Sequence, residues 1–360
     1  MRVGVVPMLL GLGASFAFSP CALVPTSRKS GAPLMHLSRP RTHGPPRLMA
    51  AWRPSVPADL EVSDDDALWA LGKMERVDVS VAAAGLPSTS IATTFTRAGE
   101  RSPGRPRLLF LHGADSNSLE WRKVIRALSA RGHECIAVDW WGGGWTDRRA
   151  ITDACKAQPA PPTPWTFIRA HLRALWEQQL GAEPLIVVGA SLGGACALDL
   201  VANEPEMAAA LVLVDAGGQS FKAPPPDVVT ALAPVALGVK TLIGLFQSRV
   251  AAEDVRIVAM HSNQPLWLEA GKQYLRSGSY ARVVGPDLIR SRVRPPTLVV
   301  WGEDDDILPL ADAYAFKRDL ADCRALEIVP GAGHCPQLEN APPVADAIDR
   351  FVASLAPDAT

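Results

Sequence analysis

The chain has 360 residues, a mass of 38.4 kDa and 48% apolar residues, enough to bury a large core and to hold one α/β domain with an insertion. Its net charge of -1 is unevenly spread: residues 1–58 carry seven basic side chains and no acidic one, and the remainder carries 29 basic against 37 acidic residues, a net of -8. That acidic body argues against a nucleic-acid binder, and six scattered cysteines without C-x-x-C spacing argue against a zinc module or a disulfide framework, so no metal or cofactor is expected.

Residues 3–18 are an apolar stretch after Arg2, interrupted by Pro7, and shorter than the ~20 residues of a membrane span, so no stable span is expected. Ser15-Phe16-Ala17 offers small-x-small cleavage chemistry, and an Arg-, Ser-, Pro- and Ala-rich segment follows with its first acid at Asp59. The pair resembles the bipartite leader of algae with secondary plastids, with Ala17-Phe18 at the junction. That resemblance implies a leader over 1–58 that is removed and a plastid location. Secretion is the competing reading, disfavoured by the odd five cysteines that would remain, and a mitochondrial presequence is disfavoured by the apolar start.

From about residue 63 short β-like runs at Val77–Ala82 and Ile91–Thr96 read as edge strands. Leu108–Leu111 is a buried strand leading into His112-Gly113, and Leu119–Ala130 is a helix stopped at Gly132. The strand Cys135–Asp139 opens into Trp140-Trp141-Gly142-Gly143-Gly144-Trp145-Thr146-Asp147. No Lys-Ser/Thr and no G-x-G-x-x-G accompany those glycines, which disfavours a phosphate loop. After a proline cluster at 158–164, helix Trp165–Leu180, strand Leu185–Val188, helix Ala195–Ala202 and strands Leu211–Asp215, Thr297–Trp301 and Leu326–Val329 follow. Near-continuous apolar strands alternating with helices predict a parallel sheet covered on both faces, with the loops at the strand C-termini lining one crevice. Between 217 and 295 the periodicity turns helical, with expected helices at Asp227–Gln247, Ala252–Met260 and Gln264–Arg276.

Within Leu185–Gly194 an apolar run ends in Gly189-Ala190-Ser191-Leu192-Gly193 and passes straight into a helix, which spells G-x-S-x-G. From this motif the chain resembles the α/β-hydrolase superfamily over roughly residues 75–355. The resemblance implies a mostly parallel sheet with helices on both faces, a core of 63–216 and 296–356, and a helical cap at 217–295 inserted after the sixth strand. It makes Ser191 the nucleophile. A base is expected from Gly331-Ala332-Gly333-His334, after the last strand, because imidazole titrates near neutral pH. The acid is expected in Gly302-Glu303-Asp304-Asp305-Asp306-Ile307-Leu308-Pro309, where the family pattern picks Asp305, with Asp304 and Asp306 as rivals and Asp215 as the alternative position. The order Ser191, Asp305, His334 is that of this fold. By the same resemblance, the oxyanion donors are the backbone N–H groups of Ala114 and Leu192. Cys335 beside His334 is read as a packing residue rather than a reactive thiol.

Related dehalogenases and epoxide hydrolases carry aspartate at the elbow, so serine at 191 implies acyl chemistry: cleavage of a carboxylic ester or thioester, or acyl transfer. Serine-dependent carbon–carbon hydrolases and cofactor-free haloperoxidase-like enzymes share the same triad. A non-catalytic binding or scaffold protein on this fold is the reading from a different class. Trp140, Trp141 and Trp145 bordering the crevice, with Phe246 and Trp267 from the insertion, predict an apolar small-molecule or lipid ester as the partner. The oligomeric state is left open.

Overall fold

Eight strands form one sheet in the order β1-β2-β4-β3-β5-β6-β7-β8. They are β1 (Met74–Val81), β2 (Thr89–Ala98), β3 (Leu108–Leu111), β4 (Cys135–Val138), β5 (Leu185–Ala190), β6 (Ala208–Val214), β7 (Thr297–Gly302) and β8 (Cys323–Val329). A computed structural model describes residues 52–56, 62–82, 88–140, 143–149, 152–153, 164–219, 249–276 and 284–355. All of these belong to one unit, 43–360. The leader up to residue 51, the expected helix Asp227–Gln247, Trp141 and Phe246 lie outside the described residues.

β1 and β2 pair antiparallel, as do β2 and β4, and every later pairing is parallel. The parallel strands read as unbroken apolar runs because both faces are covered. Leu109, Leu111, Val187, Leu213 and Val299 point to one face, under the helices Pro164–Gln179, Leu192–Asn203 and Leu310–Asp319. Their neighbours Leu108, Phe110, Ile186, Val188, Val212 and Val300 point to the other, under Arg122–Ala130 and Ala341–Ser354. A fully buried Leu, Ile or Val contributes about 1.5–3 kcal/mol, so each strand is held from both sides.

The expectation of two edge strands holds for β1 and fails for β2, which lies between β1 and β4. Its threonines disguised it. Thr93, Thr94 and Thr96 are buried, with the Thr93 hydroxyl 2.7 Å from His171 Nε2 and the Thr94 N–H donating to Thr146 Oγ1 at 3.0 Å. The expected helix from Leu119 begins instead as a 3₁₀ turn at Ser118–Trp121, capped by Asn117 Oδ1 accepting from the Leu119 N–H at 2.9 Å, before the α-helix Arg122–Ala130.

Between β6 and β7 the described elements are helices: Ala252–Ala259, a 3₁₀ turn at Met260–Asn263, Trp267–Arg276 and Pro286–Arg292. Ile289 in the last of them and the flanking Val284 and Val293 join the main apolar cluster. The buried guanidinium of Arg122 bonds both Asp64 and Asp254, which fastens the helices Asp65–Leu71 and Ala252–Ala259 to the same point. Residues 52–56 also pack on this region: the Ser55 carbonyl accepts from Trp145 Nε1 at 3.0 Å, and Trp52 and Val56 lie against a cluster containing Met74, Trp145 and Ile257. The leader boundary expected at 58 therefore falls after residues that the fold uses. Among the described residues no helix is long and apolar enough to cross a membrane.

Candidate active site

The sheet register assembles the site. β3 pairs with β5 so that Leu111 sits beside Gly189, and the loop His112-Gly113 consequently emerges next to Ser191. β5 pairs with β6 with Ala190 beside Val214, which sets Asp215 alongside, and β7 with β8 with Gly302 beside Val329, which brings the Asp305 and His334 loops together.

Ser191 occupies φ 51°, ψ -117°, a left-handed conformation that L side chains rarely adopt, between the end of β5 and the helix Leu192–Asn203. Two glycines permit the turn: a Cβ on Gly189 would lie 2.3 Å from Gly193 O, and one on Gly193 would lie 2.2 Å from Leu111 O. Nothing larger fits either position. His334 Nε2 is 3.0 Å from Ser191 Oγ, and His334 Nδ1 is 2.8 Å from Asp305 Oδ2.

Asp305 is shielded from solvent, and its Oδ1 accepts from the backbone N–H groups of Ile307 and Leu308 at 2.8 and 3.0 Å. Burial alone would raise its carboxyl, but the hydrogen bond and charge of His334, with the two N–H groups, hold it below the usual carboxylate range. The rivals face outward. Asp304 pairs with Arg249 at 2.6 Å, and Asp306 is exposed. Asp215 is fully buried and accepts from the Gly302 N–H at 2.9 Å, while burial first and the charge of Asp305 second push its carboxyl well above the ordinary range. Its ligand atoms and those of Asp305 and His334 lie within 4.8 Å of one another, a spacing that would also suit a cation. His334 Nδ1 and Asp305 Oδ2 are engaged with each other at 2.8 Å.

Three supporting residues escaped sequence reasoning. Glu339 Oε2 and Oε1 accept from the N–H groups of Gly333 and Cys335, at 2.6 and 2.9 Å, so one carboxylate brackets the backbone on either side of His334. Buried Glu120 accepts from the Gly113 N–H at 3.2 and 3.1 Å and from Gln337 Nε2 at 3.0 Å. Asp115 bonds Trp267 and His261 from the far segment. No local motif marks any of the three, because their partners are set by loop geometry or by distant chain.

Ala114 is exposed in the loop beside Ser191, and a Cβ on Gly113 would lie 3.5 Å from Ser191 Cβ, while Leu192 opens the helix that follows the serine. The tryptophans are placed differently from the pocket walls expected of them. Trp140 is 3% exposed, donates Nε1–H to the His112 carbonyl at 3.1 Å and stacks on the His112 ring, so it braces the loop from behind. Trp145, also 3% exposed, is committed to Ser55 and the packing around Ile257. An indole N–H buried with its ring finds a backbone carbonyl, which draws both rings inward. Trp267 is half-buried, and its Nε1 donates to Asp115 Oδ1 at 2.8 Å.

Strand order, elbow and crossing helices define the fold as that of an α/β hydrolase. The chain belongs to the alpha/beta hydrolase family, which it matches over residues 108–347. It is 29% identical over 267 residues to the alpha/beta hydrolase domain-containing protein VTE7 of Arabidopsis thaliana, covering 68% of this chain and 74% of that one. It is 27% identical over 279 residues to the 2-hydroxy-6-oxo-6-(2'-aminophenyl)hexa-2,4-dienoic acid hydrolase of Metapseudomonas resinovorans, covering 73% and 88%. Among solved structures, a thermophilic esterase from Thermogutta terrifontis superposes with a TM-score of 0.59 at 21% identity, covering 78% of this chain and 99% of the esterase.

Proposed function

We propose that the protein is a serine hydrolase that cleaves a carboxylic ester or thioester through an acyl-enzyme at Ser191. The observation that carries this is the unbroken chain from Ser191 Oγ through the His334 ring to Asp305. Ser191 Oγ attacks the carbonyl carbon as its proton passes to His334 Nε2, and Asp305 holds Nδ1–H so that the imidazolium is stabilised in the right orientation. The oxyanion is received by the backbone N–H groups of Ala114 and Leu192, at the positive end of the helix Leu192–Asn203. Collapse expels the alcohol or thiol, which takes the proton from His334. Water then attacks the acyl-enzyme by the same route and frees Ser191.

The preferred substrate is an apolar ester, because the helical stretch after β6 brings apolar side chains such as Leu266, Trp267 and Leu268 into the described part of the insertion. On this reading the acid-free leader directs the enzyme to a plastid, which a fluorescent fusion of residues 1–58 tests. The likeness to the dienoic acid hydrolase favours a second reading, carbon–carbon bond hydrolysis with the same residues. A fluorophosphonate probe should label the wild type and not Ser191→Ala, and kcat/KM for p-nitrophenyl esters should rise from acetate to octanoate. A wild type that is neither labelled nor active would leave the scaffold reading. Labelling with turnover of a dienoic keto acid and none of esters would favour the second.

A further inference from the structure

The loop that passes Ser191 is fastened to the helical segment between β6 and β7 by Asp115 and Asn117. Asp115 Oδ1 accepts from Trp267 Nε1 at 2.8 Å and lies 2.9 Å from His261 Nε2. His261 Nδ1 lies 2.9 Å from the Val258 carbonyl, so the ring bridges the Asp115 carboxylate and the backbone of the segment. Two residues along the same loop, buried Asn117 donates through Nδ2 to the carbonyls of Ile257 and Val258 at 3.2 and 2.8 Å. Loop and segment are thus joined at four hydrogen bonds made by two side chains.

Backbone strain collects at the same place. Asp115 has φ 48°, and Leu266, next to Trp267, has φ 62°, in the region that leucine rarely enters. Such conformations persist where surrounding contacts over-determine them, and they cluster where geometry is part of function. Asp115 itself lies two residues after Gly113, the residue that flanks Ser191.

We propose that Asp115 is a positioning residue for the reaction at Ser191: by tying its loop to His261 and Trp267, it fixes the Gly113-Ala114 peptide at the height the oxyanion requires. The proposal rests on the acyl-transfer reading above. The 252–276 segment then sets the geometry of the reacting oxygen as well as covering the substrate. Donors of this kind act only when held to about half an ångström, and a displacement near 1 Å costs roughly a hundredfold in rate.

The test uses the full chain, p-nitrophenyl butyrate and three variants. Asp115→Gly accepts the left-handed backbone, so the carboxylate is removed without a conformational penalty. It should lower kcat by about 10- to 100-fold with KM within about twofold. Asp115→Asn keeps an acceptor for Trp267 and loses the charge facing His261, and should fall between Gly and wild type. Trp267→Phe keeps the ring and removes one donor, giving a loss of roughly three- to tenfold in kcat. Affinity for an alkyl boronic acid, whose tetrahedral adduct on Ser191 uses the same donors, should fall in step with kcat/KM. Unchanged kcat with a lowered Tm in all three variants would make the cluster a structural tether and overturn the proposal. A raised KM at unchanged kcat would make Asp115 a substrate contact and overturn it too. A wild type without turnover or boronate binding would remove the acyl-transfer reading, and this inference with it.

Discussion

Asp215 and Asp305 lie together inside the protein, with carboxylate oxygens within 4.8 Å of one another. Asp305 spends both oxygens on acceptance, from His334 and from two backbone N–H groups, whereas Asp215 accepts from Gly302 through Oδ1 alone. Burial, and then the charge of Asp305, push the Asp215 carboxyl well above the ordinary carboxylate range.

Asp215→Asn removes the titrating carboxyl and keeps its shape. Above the ordinary value of 3.8 an unfolded Asp215 releases its proton while the folded one holds it, so this group makes stability fall as pH rises toward its raised folded value. The variant should gain stability over the wild type at pH 7 and lose that advantage near pH 4, as urea unfolding at the two pH values will show. Its kcat should stay within about threefold, because an Asn amide still accepts from Gly302 and donates to Asp305. Asp305 works in the opposite sense. Its lowered value contributes stability above pH 3.8 that is lost as pH falls through the folded value.

Asp305→Asn should lower kcat by about 10³- to 10⁴-fold, since the amide presents the wrong tautomer partner to His334. Asp304→Asn and Asp306→Asn should stay within about twofold, the first costing only a half-exposed ion pair with Arg249. Steady-state kinetics on the three variants separates them. A strong effect at Asp304 or Asp306 would move the assignment.

Ser191→Ala and His334→Ala should each remove about 10⁴- to 10⁶-fold of kcat, and the double variant should be little slower than either one. Pre-steady-state acyl release compared across the three proteins checks this. Glu339→Ala should cost roughly tenfold in kcat with KM unchanged, because the backbone on both sides of His334 loses its acceptor while the ring remains.

A chain beginning at Trp52 should be more stable than one beginning at Asp59 by about 2 kcal/mol, seen as a Tm higher by about 3 °C. The longer form keeps Trp52, Val56 and the carbonyl that receives the Trp145 N–H. Equal melting temperatures would show that this strip contributes nothing to folding.

The parallel strands and the elbow were legible because chemistry and position coincide there. Leu108–Leu111 and Leu211–Val214 are unbroken apolar runs that only a doubly covered strand explains, and the small residues around Ser191 are demanded by close backbone, from the turn itself at Gly189 and from the end of β3 at Gly193. What was illegible depended on direction. Asp304, Asp305 and Asp306 are alike in composition and differ only in where their side chains point. Trp140 and Trp145 border a glycine-rich loop in sequence, yet their N–H groups turn inward to His112 and Ser55. β2 hid its interior position behind threonines such as Thr93, whose hydroxyl meets His171 only after folding. Asp115 could not be paired with His261 across 146 residues by any local pattern.

The Ser191–His334 hydrogen bond spans 143 residues and closes only when β7 and β8 have added to the strands that precede them. Contacts of such long sequence separation form late, since the loop entropy must be overcome first. Turnover is thus a reporter of the finished sheet. During refolding, far-UV ellipticity should recover ahead of hydrolase activity, and a chain ending before β8 should regain helix without ever regaining turnover.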